Sequence, residues 1–199
     1  MAIPAIILAA GGSRRLGRPK QLVPVGNETL LGRTIRVVRE AGADPVLVVL
    51  GAHRDEIVAG IDLKGVQVIF HSEWEQGIAS SIGAGLEALR AQAPDAAPAM
   101  LLVCDQPRLT NEHVHRLIAT FDEQSEPTIV ASAYADIAGI PAIFPANEFA
   151  ALLELRGEEG ARRLLGDPVC PLITVDFEGG DFDVDTPADL AQIISASKR

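Results

Sequence analysis

Short apolar runs alternate with helical patterns along most of the chain, and this alternation constrains the fold more than any other feature. Seven runs rich in branched aliphatic residues are predicted as strands: Ala5–Ala9, Pro45–Leu50, Val66–Phe70, Met100–Cys104, Thr128–Ser132, Ile140–Phe144 and Leu172–Val175. Seven segments are predicted as helices: Thr29–Ala41, Arg54–Ala59, Ser80–Ala93, Asn111–Asp122, Ala146–Leu155, Gly160–Leu165 and Pro187–Ser195. Early strands that are apolar on both faces are typical of a parallel sheet covered by helices. The pattern through Asp122 therefore predicts right-handed crossovers in a doubly wound α/β sheet.

The regular alternation ends after Asp122. The segments Thr128–Ser132 and Ile140–Phe144 are too close together for a helical crossover, so they are predicted to form an antiparallel hairpin or an inserted ribbon. Hydrophobic residues make up 48% of the chain and aromatic residues only 4%, which indicates a core of Ala, Val, Ile and Leu. We expect one domain over residues 1–199, because a single core stays efficient up to about 250 residues and the loop Gln92–Pro98 is too short to link two domains.

The charge of the chain argues against one class of function. The formal net charge is -10 and the pI is about 4.8, whereas a protein that binds a nucleic-acid polymer needs a basic face that displaces counterions. The sequence holds no apolar run of about 20 residues of the kind that crosses a bilayer, and Cys104 and Cys170 lack the spacing of a metal-binding pair. We therefore expect a cytoplasmic protein with reduced cysteines that binds neither nucleic acid nor membrane.

The stretch from Ala5 to Lys20, AIILAAGGSRRLGRPK, is the strongest candidate for a ligand site. A predicted buried strand ends at the adjacent glycines Gly11 and Gly12. Four cations follow within seven positions: Arg14, Arg15, Arg18 and Lys20. Glycine lets the backbone turn sharply and present N–H groups to a ligand, while Arg and Lys supply charge for phosphate oxygens. Since no acidic residue precedes Glu28, the segment predicts a triphosphate-binding loop, with a plain tight turn as the alternative.

Two common nucleotide-binding motifs do not match this loop. Gly12 and Gly17 have the separation of the Walker A glycines, but Arg18 and Pro19 stand where that motif needs Lys and Ser or Thr. Adjacent glycines also differ from the G-x-G-x-x-G pattern of a dinucleotide-binding turn. The loop thus belongs to neither of these classes.

Further polar segments are expected at the same edge of the sheet, because ligands bind outside the carboxyl ends of strands in open α/β sheets. Asp105 follows an apolar strand and has no obvious capping role, since Thr110 is the better N-cap for the helix that begins at Asn111. A carboxylate in this position suits Mg²⁺, which takes oxygen ligands from one or two carboxylates and from substrate phosphates; a loop-capping Asp is the alternative. Gly77 to Ser81 introduces a helix whose free N–H groups and hydroxyls suit a ribose or base, or simply cap the helix.

The segment D-V-D-T-P-A-D, residues 183–189, precedes the last predicted helix. Its Thr, Pro and final Asp are typical of the N-cap, the first helical position and the first turn, which leaves Asp185 without a structural explanation. Asp183 would share the face of Asp185 in an extended backbone and is the weaker candidate. Trp74, the only tryptophan, is expected to pack in the protein, with stacking on a ligand ring as the alternative.

The glycine-basic loop resembles the signature of a known family. The segment LAAGGSRRLGRPKQLVPVGNETLL is similar to the L-A-A-G-x-S-x-R-M-G-x-P-K-x-L-L-P opening of the MobA-like nucleotidyltransferases, and most similar to their molybdenum cofactor cytidylyltransferase branch. Five later segments resemble motifs of that branch in the same order: EWEQGIASSIGAGL, CDQPRLT, GIPAIF, GEEGARRLL and DVDTPADL. The resemblance covers nearly the whole chain. It implies a Rossmann-like three-layer α/β/α fold of the nucleotide-diphospho-sugar transferase type, with a mostly parallel sheet and a small antiparallel addition.

The resemblance also implies a role for each motif in nucleotidyl transfer. The implied nucleotide-binding residues are Leu8, Ala9, Ala10, Gly11, Gly12, Arg15, Lys20, Gly77 and Ser81. Arg15 is assigned to the β- and γ-phosphates and Lys20 to the α-phosphate and the transition state, where negative charge accumulates. Asp105 and Asp185 are assigned to Mg²⁺. Lys20, Arg15 and Asp105 are therefore the predicted catalytic residues.

The reaction implied by the resemblance joins CTP to the terminal phosphate of the molybdenum cofactor, a phosphorylated pterin, with a molybdoenzyme as candidate partner. Ala10 gives the L-A-A-G form of the cytidylyl branch, whereas guanylyl relatives tend to carry L-A-G-G. Ile140 replaces the histidine of the family's G-H-P motif, so another NTP with a sugar phosphate, a phospholactate-like acid or a polyol phosphate stays an alternative. A nucleotide-binding chaperone without turnover is a second alternative. Arg162 is a candidate contact for an anionic acceptor, and Arg14 and Arg18 are expected to face solvent.

Overall fold

The computed structural model describes residues 2–92 and 98–196. The described strands are β1 (Ala5–Ala9), β2 (Pro24–Val25), β3 (Glu28–Thr29), β4 (Val46–Leu50), β5 (Gln67–Phe70), β6 (Ala99–Val103), β7 (Ile129–Tyr134), β8 (Ile137–Phe144) and β9 (Leu172–Asp176). The described α-helices are α1 (Leu30–Glu40), α2 (Arg54–Gly60), α3 (Ile78–Gln92), α4 (Asn111–Asp122), α5 (Phe149–Glu154), α6 (Arg162–Gly166) and α7 (Pro187–Ala196). Every predicted strand and helix is present, although Ala93 and the middle of the predicted loop 92–98 lie outside the described residues.

Seven strands form one sheet in the order β5-β4-β1-β6-β8-β7-β9. The pairs β5–β4, β4–β1 and β1–β6 are parallel, as is β7–β9, whereas β8 runs antiparallel to both of its neighbours. The predicted hairpin is therefore β7–β8, and it is built into the main sheet. The predicted fold class, a mostly parallel sheet with a small antiparallel addition, is confirmed.

Helices cover both faces of the sheet because the side chains of β1 alternate between two hydrophobic clusters. Ile7 packs with residues of α1, α2 and α4 on one face, and Ile6 packs with residues of α3, α5 and α6 on the other. Both isoleucines are fully buried, and burial of each such side chain contributes about 1.5–3 kcal/mol. Within residues 2–92 and 98–196, no helix has the length and apolarity needed to cross a membrane.

A third, smaller cluster links the loop after β1 to the C-terminal helix. It contains Leu16, Val23, Leu30, Val184 and Ile193. Val184 is fully buried there, and its N–H donates to the backbone carbonyl of Asp105 over 3.0 Å. This cluster brings residues from both ends of the sequence to the carboxyl edge of β1 and β6.

The hairpin of β2 and β3 was not predicted, because two-residue strands show no periodic pattern. It turns through Gly26, whose φ of 62° lies in the left-handed region that favours glycine. The hydroxyl of Thr29 then accepts a hydrogen bond from the N–H of Gly32 over 3.1 Å and caps α1. The hairpin thus turns the chain from the glycine-basic loop into the first helix.

Candidate active site

A cleft of about 460 Å³ lies at the carboxyl ends of β1 and β6. Its lining includes every residue predicted for the site, namely Leu8, Ala9, Ala10, Gly11, Gly12, Arg15, Lys20, Gly77, Ser81, Asp105 and Asp185. These residues come from four separate segments of the chain, which the sheet topology brings to one edge. The structure thus places the predicted residues together, while the role of each stays a prediction.

The side-chain amide of the buried Gln21 holds the backbone of the glycine loop. Gln21 is 1% exposed, and its Nε2 donates to the carbonyl oxygens of Ala9 over 2.6 Å and Gly11 over 3.2 Å. The Ser13 hydroxyl accepts from the backbone N–H of Lys20 over 3.0 Å. These hydrogen bonds hold the loop backbone and the start of the Lys20 side chain in fixed positions.

Sequence reasoning missed this role of Gln21. The available signal was a single amide directly after Lys20, at the start of the apolar stretch 22–25. A buried amide of this kind needs hydrogen-bond partners, and backbone carbonyls in a nearby irregular loop are the usual ones. Gln21 is therefore a structural support of the site.

Lys20 is held between two carboxylates at the centre of the cleft. Its Nζ donates to Asp105 Oδ2 over 2.7 Å and to Asp185 Oδ1 over 2.6 Å. The second oxygen of Asp185, Oδ2, accepts from Arg15 Nη2 over 2.6 Å. The Lys20 and Asp105 side chains are only 16% and 18% exposed, whereas that of Arg15 is 73% exposed. The site therefore has a sheltered lysine and an exposed arginine on the same carboxylate.

The charges in this cluster support one another. Burial by itself would lower the pKa of Lys20, but the carboxylates of Asp105 and Asp185 outweigh it and raise that pKa above its usual value. Burial would raise the pKa of Asp185, but hydrogen bonds and charge from Lys20 and Arg15 lower it below its usual value. Lys20 is therefore an ammonium and Asp185 a carboxylate at neutral pH.

The donor set at this position suits a hard divalent cation. Asp105 Oδ1 is buried and has no hydrogen-bond partner among the described residues, so it retains an unused acceptor that a cation can satisfy. Within residues 2–92 and 98–196, no group of three or more His, Cys, Asp or Glu side chains is arranged to hold a metal ion. A metal here would take Asp105 and Asp185 and complete its shell with oxygens of substrate and water, as Mg²⁺ does.

The start of α3 forms the opposite wall of the cleft. Gly77 has a φ of 100°, and a Cβ there would lie 2.2 Å from the carbonyl oxygen of Gly157, so only glycine fits. The hydroxyl of Ser80 is occupied locally, because it donates to the Gly77 carbonyl over 2.7 Å and lies 2.8 Å from His71 Nε2. Ser81 is buried and lines the cleft, which makes it the serine that is available to a ligand.

Trp74 packs in the protein and also forms part of the cleft wall. A Cβ on Gly12 would lie 3.1 Å from its ring, and a Cβ on Gly51 would lie 2.5 Å from its side chain. The Trp74 side chain therefore requires glycine at position 51 and leaves little room for a larger residue at position 12. This agrees with the expected packing role and adds a contact with the ligand cleft.

Three of the four cations of the loop, Arg14, Arg15 and Lys20, have acidic partners that are distant in sequence. Arg14 pairs with Glu75 over 3.2 Å, and its side chain is 81% exposed, in agreement with the expected solvent-facing position; Arg18 is exposed as well. The absence of nearby acids in the sequence therefore did not mean unpaired charge. The fold supplies the acids from other segments.

Two residues predicted for the acceptor side, Ile140 and Arg162, do not line the 460 Å³ cleft. Gln106, which is buried, donates from Nε2 to the carbonyl of Ile140 over 3.2 Å and to that of Gly180 over 2.9 Å. The Tyr134 hydroxyl also donates to the Ile140 carbonyl over 3.1 Å. Arg162 is exposed at the start of α6 and does not line the cleft, so the structure leaves its predicted contact untested.

The fold and this cleft define the class of protein, a nucleotidyltransferase with a Rossmann-like α/β sheet. Residues 5–171 match the MobA-like NTP transferase domain, and the chain belongs to this family. The superfamily that the motifs predicted is therefore confirmed.

Individual relatives differ in their named activities. Nicotine blue oxidoreductase of Paenarthrobacter nicotinovorans is 28% identical over 203 residues, covering 96% of each chain. A probable molybdenum cofactor guanylyltransferase of Opitutus terrae is 42% identical over 77 residues, covering 33% of this chain and 38% of that protein. Because these names disagree on the substrate, the cytidylyl branch stays a prediction.

Solved structures resemble the whole chain. The crystal structure of Rv0371c from Mycobacterium tuberculosis H37Rv has a TM-score of 0.83 and 31% identity, covering 98% of this chain and 99% of that one. A structure of Rv0371c in complex with manganese has a TM-score of 0.79 and 28% identity, covering 98% of this chain and 100% of that one.

Proposed function

We propose that the protein is a Mg²⁺-dependent cytidylyltransferase that transfers CMP from CTP to the terminal phosphate of the molybdenum cofactor and releases pyrophosphate. The acceptor is a phosphorylated pterin, and a molybdoenzyme is the partner that receives the product. The observation that carries the proposal is the position of Lys20 Nζ, within 2.7 Å of both Asp105 and Asp185, beside the glycine loop.

The charged end of the cleft suits a triphosphate. Gly11 is exposed, and no atom lies within 4 Å of the position that a Cβ would occupy there, so a ligand can approach the backbone closely. Lys20 and Arg15 stand beside this loop and supply two positive charges. The long exposed side chain of Arg15 can follow the β- and γ-phosphates, whereas the sheltered Lys20 is placed for the α-phosphate.

The reaction forms one P–O bond and breaks another. An oxygen of the acceptor phosphate attacks the α-phosphorus of CTP in line, and the bond to the bridging oxygen breaks, so pyrophosphate leaves with the bonding electron pair. The attacking oxygen is already ionised, and no general base is needed. Lys20 stabilises charge on the transferred phosphate and Arg15 stabilises charge on the leaving pyrophosphate. Bound at Asp105 and Asp185, Mg²⁺ would supply further neutralisation of the phosphate oxygens.

The choice of nucleotide is supported by Ala10, and the choices of cation and acceptor are supported by the names of related proteins. Ala10 is buried in the cleft wall, where guanylyl relatives tend to have glycine, and its methyl group narrows the base end of the site. The manganese complex of Rv0371c supports a divalent cation, and the Opitutus relative's name supports a molybdenum cofactor acceptor. Ile140 keeps its carbonyl fixed by Gln106 and Tyr134 although it lacks the family's histidine side chain.

Pyrophosphate release from each of the four NTPs, with Mg²⁺ and with or without purified molybdenum cofactor, tests the proposal. We expect release only from CTP with the cofactor present. If only GTP released pyrophosphate with the cofactor present, the protein would be a guanylyltransferase. If release needed a sugar phosphate in place of the cofactor, the proposed acceptor would be wrong. Tight CTP binding without turnover on any acceptor would favour a nucleotide-binding chaperone.

A further inference from the structure

The carboxylates proposed for the metal are already engaged by the protein's own cations. Lys20 Nζ occupies Asp105 Oδ2 and Asp185 Oδ1, at 2.7 Å and 2.6 Å, and Arg15 occupies Asp185 Oδ2 at 2.6 Å. The fourth oxygen, Asp105 Oδ1, is buried and has no partner within the described part of the chain. Three of the four oxygens are therefore bound to positive groups.

The Lys20 ammonium opposes direct binding of one divalent cation to both carboxylates. Mg²⁺ needs oxygen ligands at about 2.0–2.1 Å, which would bring it within a few ångströms of Nζ while both cations contact the same oxygens. At that separation like charges repel strongly in a partly buried site. Direct binding of one metal to both carboxylates therefore favours departure of the ammonium.

The backbone near Lys20 is fixed, but its head group is free to change partners. The backbone N–H is held by Ser13, and the neighbouring Gln21 is anchored under the glycine loop. The hydrogen bonds that Nζ makes go to Asp105 and Asp185, and four rotatable bonds separate Nζ from the fixed backbone. A rotation of the side chain can thus move the charge without moving the loop.

We propose that Lys20 is an internal stand-in for the divalent cation, and that a bound triphosphate frees the metal site by drawing Lys20 and Arg15 onto its phosphates. This inference rests on the proposed function, since it concerns the same triphosphate cleft. Metal and nucleotide then bind cooperatively, and each raises the affinity of the other by the same factor. The stand-in also keeps two carboxylates of like charge close together before the metal arrives.

Manganese binding without turnover tests this inference. Mn²⁺ is titrated into the full chain and free Mn²⁺ is followed by electron paramagnetic resonance, with and without a CTP analogue whose α,β-bridging oxygen is a methylene group. Because the phosphates of the analogue chelate Mn²⁺ by themselves, that binding is measured without protein and included in the fit. Beyond it, we expect the analogue to tighten Mn²⁺ binding to the wild type by about tenfold, within the usual range of coupling between two sites. Equal affinity with and without the analogue would overturn the inference.

The decisive variant is Lys20→Met, which keeps the length of the side chain and removes its charge. Without nucleotide it should bind Mn²⁺ about tenfold more tightly than the wild type, although it is expected to lose transfer activity. The matched control is Arg36→Met, which also removes one positive charge, here from between Glu28 of β3 and Glu40 of α1, and it should bind Mn²⁺ as the wild type does. Lys20→Met binding no tighter than the wild type would overturn the inference.

A second variant keeps the test decisive if Lys20→Met does not fold. Arg15→Met removes an exposed side chain and frees only Asp185 Oδ2, so we expect Mn²⁺ affinity without nucleotide to rise about threefold. An unchanged affinity would contradict the inference. The titration uses no acceptor and no turnover, so its outcome does not depend on whether the proposed acceptor is correct. Conversely, a titration that contradicts the role of Lys20 would not change the pyrophosphate-release result that tests the proposed function.

Discussion

Arg36 and Lys20 each lie between two carboxylates, but the two clusters differ in solvent exposure and in the sequence separation of their partners. Arg36 contacts Glu28 over 2.7 Å and Glu40 over 2.8 Å on the surface of α1, and all three side chains are between 32% and 45% exposed. Lys20 contacts its two partners over similar distances, but its side chain is 16% exposed. The partners of Arg36 are eight and four residues away, whereas those of Lys20 are 85 and 165 residues away.

The difference shows what each cluster can do. An exposed ion pair at i, i+4 gains little, because water and salt screen it. A sheltered ammonium that contacts carboxylates from distant segments holds those segments together. Its charge is also less screened by water, so it interacts more strongly with a charged ligand in the cleft. We therefore expect the Lys20 cluster to be sensitive to substitution in activity and stability, and the Arg36 cluster to be tolerant.

The largest expected effect is on catalysis. Asp105→Ala should lower kcat/KM for pyrophosphate release by about 10²–10³-fold, because it removes a proposed metal ligand and one anchor of Lys20. The fold should persist, because the strand β6 before it is packed by apolar side chains. Activity and circular dichroism measured together check this, and retained turnover in a folded variant would remove Asp105 from the site.

Double-mutant cycles compare the two clusters in stability. We expect a coupling free energy of about 2–3 kcal/mol between Lys20 and Asp105, because both groups are sheltered from water. The cycle for Arg36 and Glu40 should give about 0.3–0.5 kcal/mol, as for other exposed helix pairs. Urea unfolding of the single and double variants measures both values. Equal coupling in the two clusters would show that burial does not separate them.

The pH dependence of stability should follow from the lowered pKa of Asp185. A carboxyl whose folded-state pKa lies below its usual value of 3.8 stabilises the protein fully above that value, and the contribution is lost as pH falls through the folded-state pKa. The stability difference between the wild type and Asp185→Asn should therefore not shrink from pH 7 to about pH 5, a range in which the neighbouring Asp183 takes up a proton, because burial and the charges of Asp105 and Asp185 raise its pKa to about 6. It should shrink only at more acidic pH, and a difference that shrinks already near pH 6 would contradict this assignment.

The smallest expected effect is that of Arg36→Met. Its free energy of unfolding should fall by less than about 1 kcal/mol, and the difference should shrink in high salt because the pair is exposed. Transfer activity should equal that of the wild type, since Arg36 does not line the cleft. A large loss of activity would mean that α1 is coupled to the site in a way the contacts do not show.

Much of the fold follows from local pattern. The buried run Ile6–Leu8 and the amphipathic stretch of α1 predict their own structures, because hydrophobic periodicity is a local property of the chain. The β2–β3 hairpin was missed because strands of two residues are too short to show a hydrophobic periodicity. The extra length of β8, which begins at Ile137 and not at Ile140, was missed because pairing with β7 sets that end.

The sequence by itself determined the α/β alternation, the hairpin after Asp122, and which residues line the candidate site, since these depend on neighbouring residues and on recognisable motifs. It did not contain the partners of the charges. That Lys20 stands between Asp105 and Asp185, and that Gln21 braces the glycine loop, was decided by the tertiary structure. The physical reason is that ion pairs and buried hydrogen bonds depend on distance in space. Segments far apart in sequence meet only when the sheet has formed and the third hydrophobic cluster, which contains Val184, has packed.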